Sequence, residues 1–577
     1  MSNLQIRDSA RFRILSCLVG APLFLTWLCF ADLGGYPSND DPFYGRPAKI
    51  FADEFRYQVV RQSGELAASS AAHVFFGGLL STVFGFSYRT LFLAVIIQLW
   101  LAGMAVTRIF RRAGCGEDFS LLCAAIFLLN PLSFGHGFTF MTDGPAMAWV
   151  VFAVALFQKG LREGSDSALI AGSIAAGVAF WMRQTHILIV GFPVASLLVA
   201  AIAYGERKRV IQRLMLAVTP ALLSVLLFES GWIVFGDSGR VHTVFPATID
   251  VRQLVIDVYG LTLLIGFLTL PLLPTVASTV RIQWQAGHRF SAYASAIAIA
   301  AAMVAMISTS GRAVLTSATG TLLQNAHLGP IFLSDFENPA RWGDMGGVSW
   351  PLIVWQGITV AAVVNFGLLA GSLLAAIRQI HSDSNAVDSA ITVGLLICAC
   401  PIVVLILNVS TGVLDRYWLL LLPIVFCLIA ECTGRGSAFA AHLAGPVIRT
   451  VGLLLLGLIA VMSIVFVHDF LTWNQTRWAQ TQQWLNDGLQ AQDFDGGRDI
   501  NAWYRSAEDT DTMAREGDSS GWWSGLATRA LSIGPRDGWH QISELKWSAW
   551  ATGREHSILI LHRDALPSGQ QPEESTE

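Results

Sequence analysis

Apolar runs of about twenty residues recur along the first 470 or so positions of this chain. Twenty residues is the length an α-helix needs to cross the ~30 Å hydrocarbon layer of a bilayer. In that layer each segment must pair its own backbone groups, so the runs predict helices rather than open strands. About 13 spans are read, near 14–33, 89–110, 118–134, 144–159, 167–182, 187–204, 212–235, 254–277, 290–309, 352–377, 389–408, 416–432 and 450–468. Composition agrees: 53% of the 577 residues are hydrophobic and 14% charged, against about 25% charged in soluble domains. The fold class expected is an all-α polytopic membrane protein.

Charge bias sets the orientation. With the N-terminus in the cytoplasm, the inner segments hold Arg7, Arg11 and Arg13; Arg108, Arg111 and Arg112; Lys159 and Arg162; Arg207, Lys208, Arg209 and Arg213; Arg281 and Arg289; Arg378; and Arg435 and Arg449. The first run follows three arginines and is long enough to span, so it reads as an uncleaved helix. An odd number of spans then places residues 469–577 outside. The segment 67–87 is apolar, but Gly77, Gly78, Ser81 and Gly85 make it a weak helix. Counting it as a span would invert everything after it, so it reads as re-entrant or lying on the interface. Residues 46–62 alternate charge with apolar side chains, as helices on a membrane surface do. All eight cysteines fall in spans or on the inner side, so neither a disulfide framework nor a zinc site is expected. A formal charge of −4 does not suggest nucleic acid as a partner.

The inner loops are short, and no phosphate-binding glycine motif follows a strand. A chain of this kind has no cytosolic room for a nucleotide-sugar donor, so a transferred group would arrive on a lipid. Residues 1–468 therefore read as the transmembrane domain, with 34–88 as a first outer loop carrying surface helices. The polar stretch 469–564 is rich in tryptophan, with alternating runs at 527–534, 540–547 and 556–562 that look like strands. It is expected to form a small α/β or β-rich domain whose tryptophans are mainly core, and 565–577 a disordered end.

The candidate chemistry lies in the outer segments. Asp40 and Asp41 sit together in Ser38-Asn39-Asp40-Asp41-Pro42-Phe43-Tyr44. A carboxylate at headgroup depth suits a general base, because partial desolvation raises its basicity. The structural alternative is that Asp41 caps a helix begun by Pro42; that accounts for one acid, and Asp40 is preferred as the base. Asp53-Glu54 is a rival pair that reads as a solvated face. Asp143, in Thr142-Asp143-Gly144-Pro145, either starts a helix or faces the same cavity. Arg183, beside Gln184, Thr185 and His186, lies where a charge is unfavourable unless it serves a polar site, and guanidinium matches phosphate bidentately. Asp415-Arg416-Tyr417 repeats that arrangement. Tyr44, Gln184 and His73 are supporting candidates, and His73 and Glu229 carry weaker signals. Asp335, Glu337, Arg341 and Asp344 mark the 310–351 loop. No metal site is assigned, and a divalent cation is left open as a cofactor.

These motifs and the architecture resemble the GT-C superfamily of membrane glycosyltransferases, which use polyprenyl-phosphate sugars and include protein O-mannosyltransferases and the aminoarabinose transferase of lipid A. The order Asp40-Asp41-Pro42-Phe43-Tyr44, Thr142-Asp143, Arg183-Gln184-Thr185 is similar to the Asp-Glu-x-Phe-His, Tyr-Thr-Asp and Arg-Gln-Thr of an α-1,2-glucosyltransferase, departing at Asp41 and Tyr44. Asp415-Arg416-Tyr417 resembles a late Arg-Tyr segment of bacterial members. Asp495-Gly496-Gly497 and Asn501-Ala502-Trp503-Tyr504 resemble the tail of bacterial relatives. The resemblance implies an inverting transferase of the bacterial inner membrane with its site and C-terminal domain in the periplasm. Asp40 would be the base and the arginines would hold the lipid phosphate; the acceptor would be a glycan, lipid or protein hydroxyl. The rival readings are a flippase for a lipid-linked saccharide, which would place charges near the bilayer midplane, and a non-catalytic envelope assembly protein.

Overall fold

A computed structural model describes residues 8–58, 70–204, 207–230, 251–308, 350–382, 386–407, 415–434, 445–504, 527–532, 534–536 and 538–564. Most of the 310–351 loop, with Asp335, Glu337, Arg341 and Asp344, lies outside the described residues, as does the end 565–577.

The expected helices form. Among the described residues eight are long and apolar enough to cross a membrane: Ala10–Cys29, Tyr88–Ala113, Asp143–Glu163, Gln184–Ile202, Arg209–Glu229, Ile353–Gln379, Val387–Leu407 and Pro446–Asn486. A ninth candidate is broken: Leu254–Leu268 and Leu270–Gln285 meet at 61°. The straight span expected at 254–277 is bent there by Pro271 and Pro274, which remove backbone donors at the junction. Other expected spans are shorter pieces, including Asp166–Phe180 and Leu422–Gly434.

Ala71–Phe84 covers the ambiguous segment. Its 14 residues reach about 21 Å, too short to cross. The two glycines that weaken it on paper are where it packs. A Cβ on Gly77 would fall 2.3 Å from the Phe140 ring and one on Gly78 2.5 Å from that of Phe51. The glycines let this helix lie directly on its neighbours.

At the opposite end of the bundle from these helices, Arg162 pairs with Glu431 and, at 2.6 Å, with Asp388, and Gln158 donates to Glu431 at 2.6 Å. This buried network ties Asp143–Glu163, Ala386–Leu407 and Leu422–Gly434 together.

Pro446–Asn486 is one continuous helix of 41 residues, so the domain boundary drawn at 469 falls inside it. Beyond it lies a four-stranded sheet, with β1 (Phe494–Asp495), β2 (Arg529–Ser532), β3 (His540–Ala549) and β4 (Arg554–His562) in the order β1-β2-β4-β3. β1 and β2 are parallel, and the other pairings are antiparallel. Three strands were legible as alternation; β1 has two residues and shows no period.

The helix and the sheet are fastened by buried charge. Arg477 and Asp499, both 0% exposed, form a two-pronged pair at 2.6 and 3.0 Å. Arg477 also donates to Asn474 and to the Gly496 carbonyl. Asp495, Gly496 and Asn501 bond one another, so the tail motif builds a turn. Asp469 accepts from the backbone of Trp550 at 2.7 Å and Ala551 at 2.9 Å, pinning the β3–β4 turn. Trp473, Trp478 and Trp484 are buried, as expected of core, whereas Trp550 is 54% exposed. The same helix reaches the start of the chain: Asn474 and Trp478 each donate to the Pro37 carbonyl at 3.0 Å.

Candidate functional site

Just after Pro37 the backbone makes a tight turn, closed by Asp41 N–H donating to the Ser38 carbonyl at 2.9 Å. Asn39 carries it with φ +52°, a conformation asparagine tolerates better than most residues. The turn points its two acids into different surroundings. Asp40 holds the position before the helix Asp41–Glu54, yet its side chain makes no capping bond. Its Oδ2 lies 4.0 Å from Arg416 Nη1, with the carboxylate 16% exposed. Asp41 is wholly buried. Its Oδ2 accepts from Ser38 N–H at 3.0 Å and Ser38 Oγ at 3.2 Å, and its Oδ1 accepts from Phe140 N–H at 2.9 Å. Asp41 is thus the first helical residue reaching back to the turn, rather than the cap that the sequence suggested. Burial pushes its carboxyl well above the usual range, with the Asp40 charge adding to the rise, against those donated bonds. Asp41, a catalytic candidate in the sequence beside Asp40, joins its own turn to residues 137–142 through Phe140.

Residues 137–142, within the stretch 135–143 expected as a short external loop, are all buried. They lie beneath the turn, with Phe140 stacked on His73 at 3.9 Å between ring centroids. His73 bonds the Phe140 carbonyl at 2.9 Å and meets the Tyr44 ring edge-on at 5.6 Å. Burial, with the Asp40 charge beside it, pushes the Tyr44 phenol up to about 12.

Asp143 follows as the first residue of its helix, without a side-chain cap from Thr142. The helix dipole favours an acid there, and the carboxylate is left free to pair across the bundle. Its Oδ1 meets Arg183 Nη1 at 2.7 Å. Arg183 follows Asp166–Phe180, where the chain passes into a 3₁₀ turn over Gln184–Val190. Arg416 opens the corresponding turn Asp415–Leu420, anchored by its own N–H to Asp415 Oδ1 at 2.8 Å. Tyr417 sits between the two cations: the Arg183 guanidinium lies 5.4 Å and that of Arg416 5.6 Å from its ring centre. One ring therefore sets the spacing of both. Met141 Sδ receives Asn39 Nδ2 at 3.2 Å and Arg416 Nη1 at 3.7 Å, closing the ring of contacts.

The structure thus gathers Asp40, Asp143, Arg183, Arg416, Tyr44 and His73 from separate segments. Their formal charges balance, two acids against two guanidiniums. Gln184 stands in the same turn as Arg183. Glu229 is exposed at the end of Arg207–Glu229. Asp53 and Glu54 are exposed and pair with Lys49 at 2.5 Å and Arg56 at 3.0 Å, a solvated face. Sequence reasoning missed His136 and gave Asn39 and Tyr417, both inside the quoted motifs, no role of their own. His136, in Phe134-Gly135-His136-Gly137-Phe138, was signalled by being a lone polar ring in an apolar stretch at a span end. Among the described residues no group of three or more His, Cys, Asp or Glu is placed to hold a metal ion.

Next to Arg416 and Tyr417 lies a small apolar recess, lined among others by Leu132, Leu264, Leu268, Trp418 and Leu422.

No protein-family model matches the chain, and no curated protein sequence matches it. Among solved structures it is similar to ArnT from Cupriavidus metallidurans in the apo state, at 13% identity and TM-score 0.40, covering 94% of this chain and 97% of that one. It is similar to the Archaeoglobus fulgidus oligosaccharyltransferase, at 12% identity and TM-score 0.44, covering 85% and 56%. It is also similar to the arabinosyltransferase EmbB from Mycobacterium smegmatis, at 13% identity and TM-score 0.32, covering 83% and 44%. All three are GT-C glycosyltransferases, the superfamily that the sequence motifs resemble. At these identities and scores the superpositions are too loose to give any residue a role.

Proposed function

We propose that the chain is a membrane glycosyltransferase that moves a sugar from a polyprenyl-phosphate donor to an acceptor hydroxyl, with inversion. The observation that carries this reading is the convergence of Asp40, Asp143, Arg183 and Arg416 around Tyr417. Asp40 takes the proton of the acceptor hydroxyl as its oxygen attacks the anomeric carbon. The new carbon–oxygen bond forms on the face opposite the breaking bond to phosphate. Polyprenyl phosphate leaves with the electron pair, and the two guanidiniums meet its growing negative charge. Asp143 holds Arg183 in place. Asp41 takes no part in the chemistry and keeps the turn in shape.

The site lies at the bundle end away from Arg111, Arg112, Arg162 and Arg213. By the bias of basic residues toward the cytoplasm, it faces the periplasm of a bacterial inner membrane, with a cytoplasmic N-terminus and the sheet outside. The acceptor is a glycan, lipid or protein hydroxyl of the envelope.

The test is transfer by the protein in nanodiscs, supplied with radiolabelled polyprenyl-phosphate sugars and envelope acceptors. Asp40→Asn is expected to lower turnover by about 10²- to 10⁴-fold, the usual worth of a general base, with the protein still folded; full turnover overturns the assignment. Arg183→Ala is expected to weaken donor use more than acceptor use, and equal effects would remove its phosphate role. Label moved across the bilayer without being transferred would favour a flippase.

A further inference from the structure

The charged cluster is accompanied by a second pattern. His136 Nδ1 lies 2.8 Å from the Leu132 carbonyl, as His73 Nε2 lies against that of Phe140. A carbonyl oxygen only accepts, so each ring carries its proton on that nitrogen and presents a bare lone pair on the other. Those bare nitrogens, His136 Nε2 and His73 Nδ1, are buried and meet no hydrogen-bond partner among the described residues. The same holds for Asp143 Oδ2 and for Asn39 Oδ1, whose amide is oriented by its bond to Met141. All four atoms are acceptors.

They belong to one place. A Cβ on Gly144 would come 2.9 Å from that of His136, so the ring packs beside Asp143. Asp143 also acts electrostatically on His73. Met141 links Asn39 to Arg416. Buried polar atoms without partners are destabilising, and these four acceptors, with the donor Arg416 Nε beside them also unmet among the described residues, suit a ligand that brings hydrogens as well as oxygens. An ionised phosphate brings none and is served by the guanidiniums. The hydroxyls of a sugar are donors.

We propose that Asn39, His73, His136 and Asp143 form a hydroxyl-reading subsite for the saccharide, adjoining the guanidinium pair that takes the phosphate. It rests on the glycosyl-transfer reading and adds to it: specificity lies in acceptor atoms that only a polyhydroxylated group can satisfy. A site built to bond hydroxyls rejects analogues lacking them far more strongly than an apolar pocket rejects a change of shape.

The experiment is a binding titration with the full chain in nanodiscs. The probes are undecaprenyl phosphate alone and undecaprenyl phosphate carrying glucose, mannose, galactose, N-acetylglucosamine or arabinose. At least one sugar-bearing lipid is expected to bind tenfold or more tighter than the bare phosphate. His136→Phe is expected to abolish that margin while leaving the bare lipid within threefold, and His73→Phe, made independently, to do the same. A merely structural role would weaken all probes alike and leave the margin unchanged, which would overturn the subsite. No margin in the unaltered protein would overturn it without any variant, with the phosphate reading intact. Absence of binding by every polyprenyl lipid would remove the transferase reading and this one with it.

Discussion

The two neighbouring acids of the turn should behave as opposites. Replacing Asp41 by alanine removes the acceptor for two buried backbone N–H groups, those of Ser38 and Phe140. The Ser38 hydroxyl can turn to another acceptor, but the N–H groups cannot. A buried donor left without a partner costs about 1–3 kcal/mol, so Asp41→Ala should lose about 2–6 kcal/mol of stability. Asp40→Asn breaks no capping bond and loosens only the 4.0 Å approach to Arg416, so it should cost about 1 kcal/mol, less than Asp41→Ala. Turnover reverses the order: Asp40→Asn loses the chemistry, whereas the folded fraction of Asp41→Ala keeps most of it. The assay is thermal unfolding of each variant in nanodiscs, with transfer measured per folded molecule. An Asp41→Ala protein as stable as the parent and as inactive as Asp40→Asn would refute the reasoning, because the buried acid would then be the reactive one.

Arg477→Met or Asp499→Leu alone should destabilise the packing of the sheet on the long helix by about 3–5 kcal/mol, since each strands a buried charge, while the double substitution should recover most of it; hydrogen exchange of β2 and β4 amides reads the difference. Gly77→Ala should overpack against Phe140 and cost about 1–3 kcal/mol, visible as a lower unfolding temperature. The folded Asp41 carboxyl titrates above its free value of 3.8. Its stabilising contribution is therefore complete below that pH and lost as pH rises through the folded value. Unfolding temperatures measured upward from pH 4 should fall more steeply in the parent than in Asp41→Ala.

The membrane helices were legible because hydropathy over twenty residues is a local property, and so were Asp40, Asp143, Arg183 and Arg416 as candidates, since each is a charge beside an apolar run. Which acid of the pair is exposed was open in the sequence, because that depends on Phe140, a hundred residues away in the chain. The glycines at 77 and 78 read as breakers because a sequence shows their flexibility and hides the ring that fills the space. Residues 137–142 read as an outer loop because they have few charges and no period, yet the same lack of charge lets them be buried. The domain boundary was drawn where hydropathy ends at 468, but a helix continues wherever its next turn finds partners, and here these are Pro37, Asp499 and the β3–β4 turn. His136 and Tyr417 were passed over because neutral rings beside arginines give no contrast until the chain is folded.

The helix Pro446–Asn486 is about 60 Å long at 1.5 Å per residue, roughly twice the hydrocarbon thickness. One rod thus holds the C-terminal sheet through Asp469 and Arg477 and the carbonyl before the Ser38–Asp41 turn through Asn474 and Trp478. The sheet and the turn share a lever: tilting one displaces the other unless the helix itself breaks between residues 469 and 478.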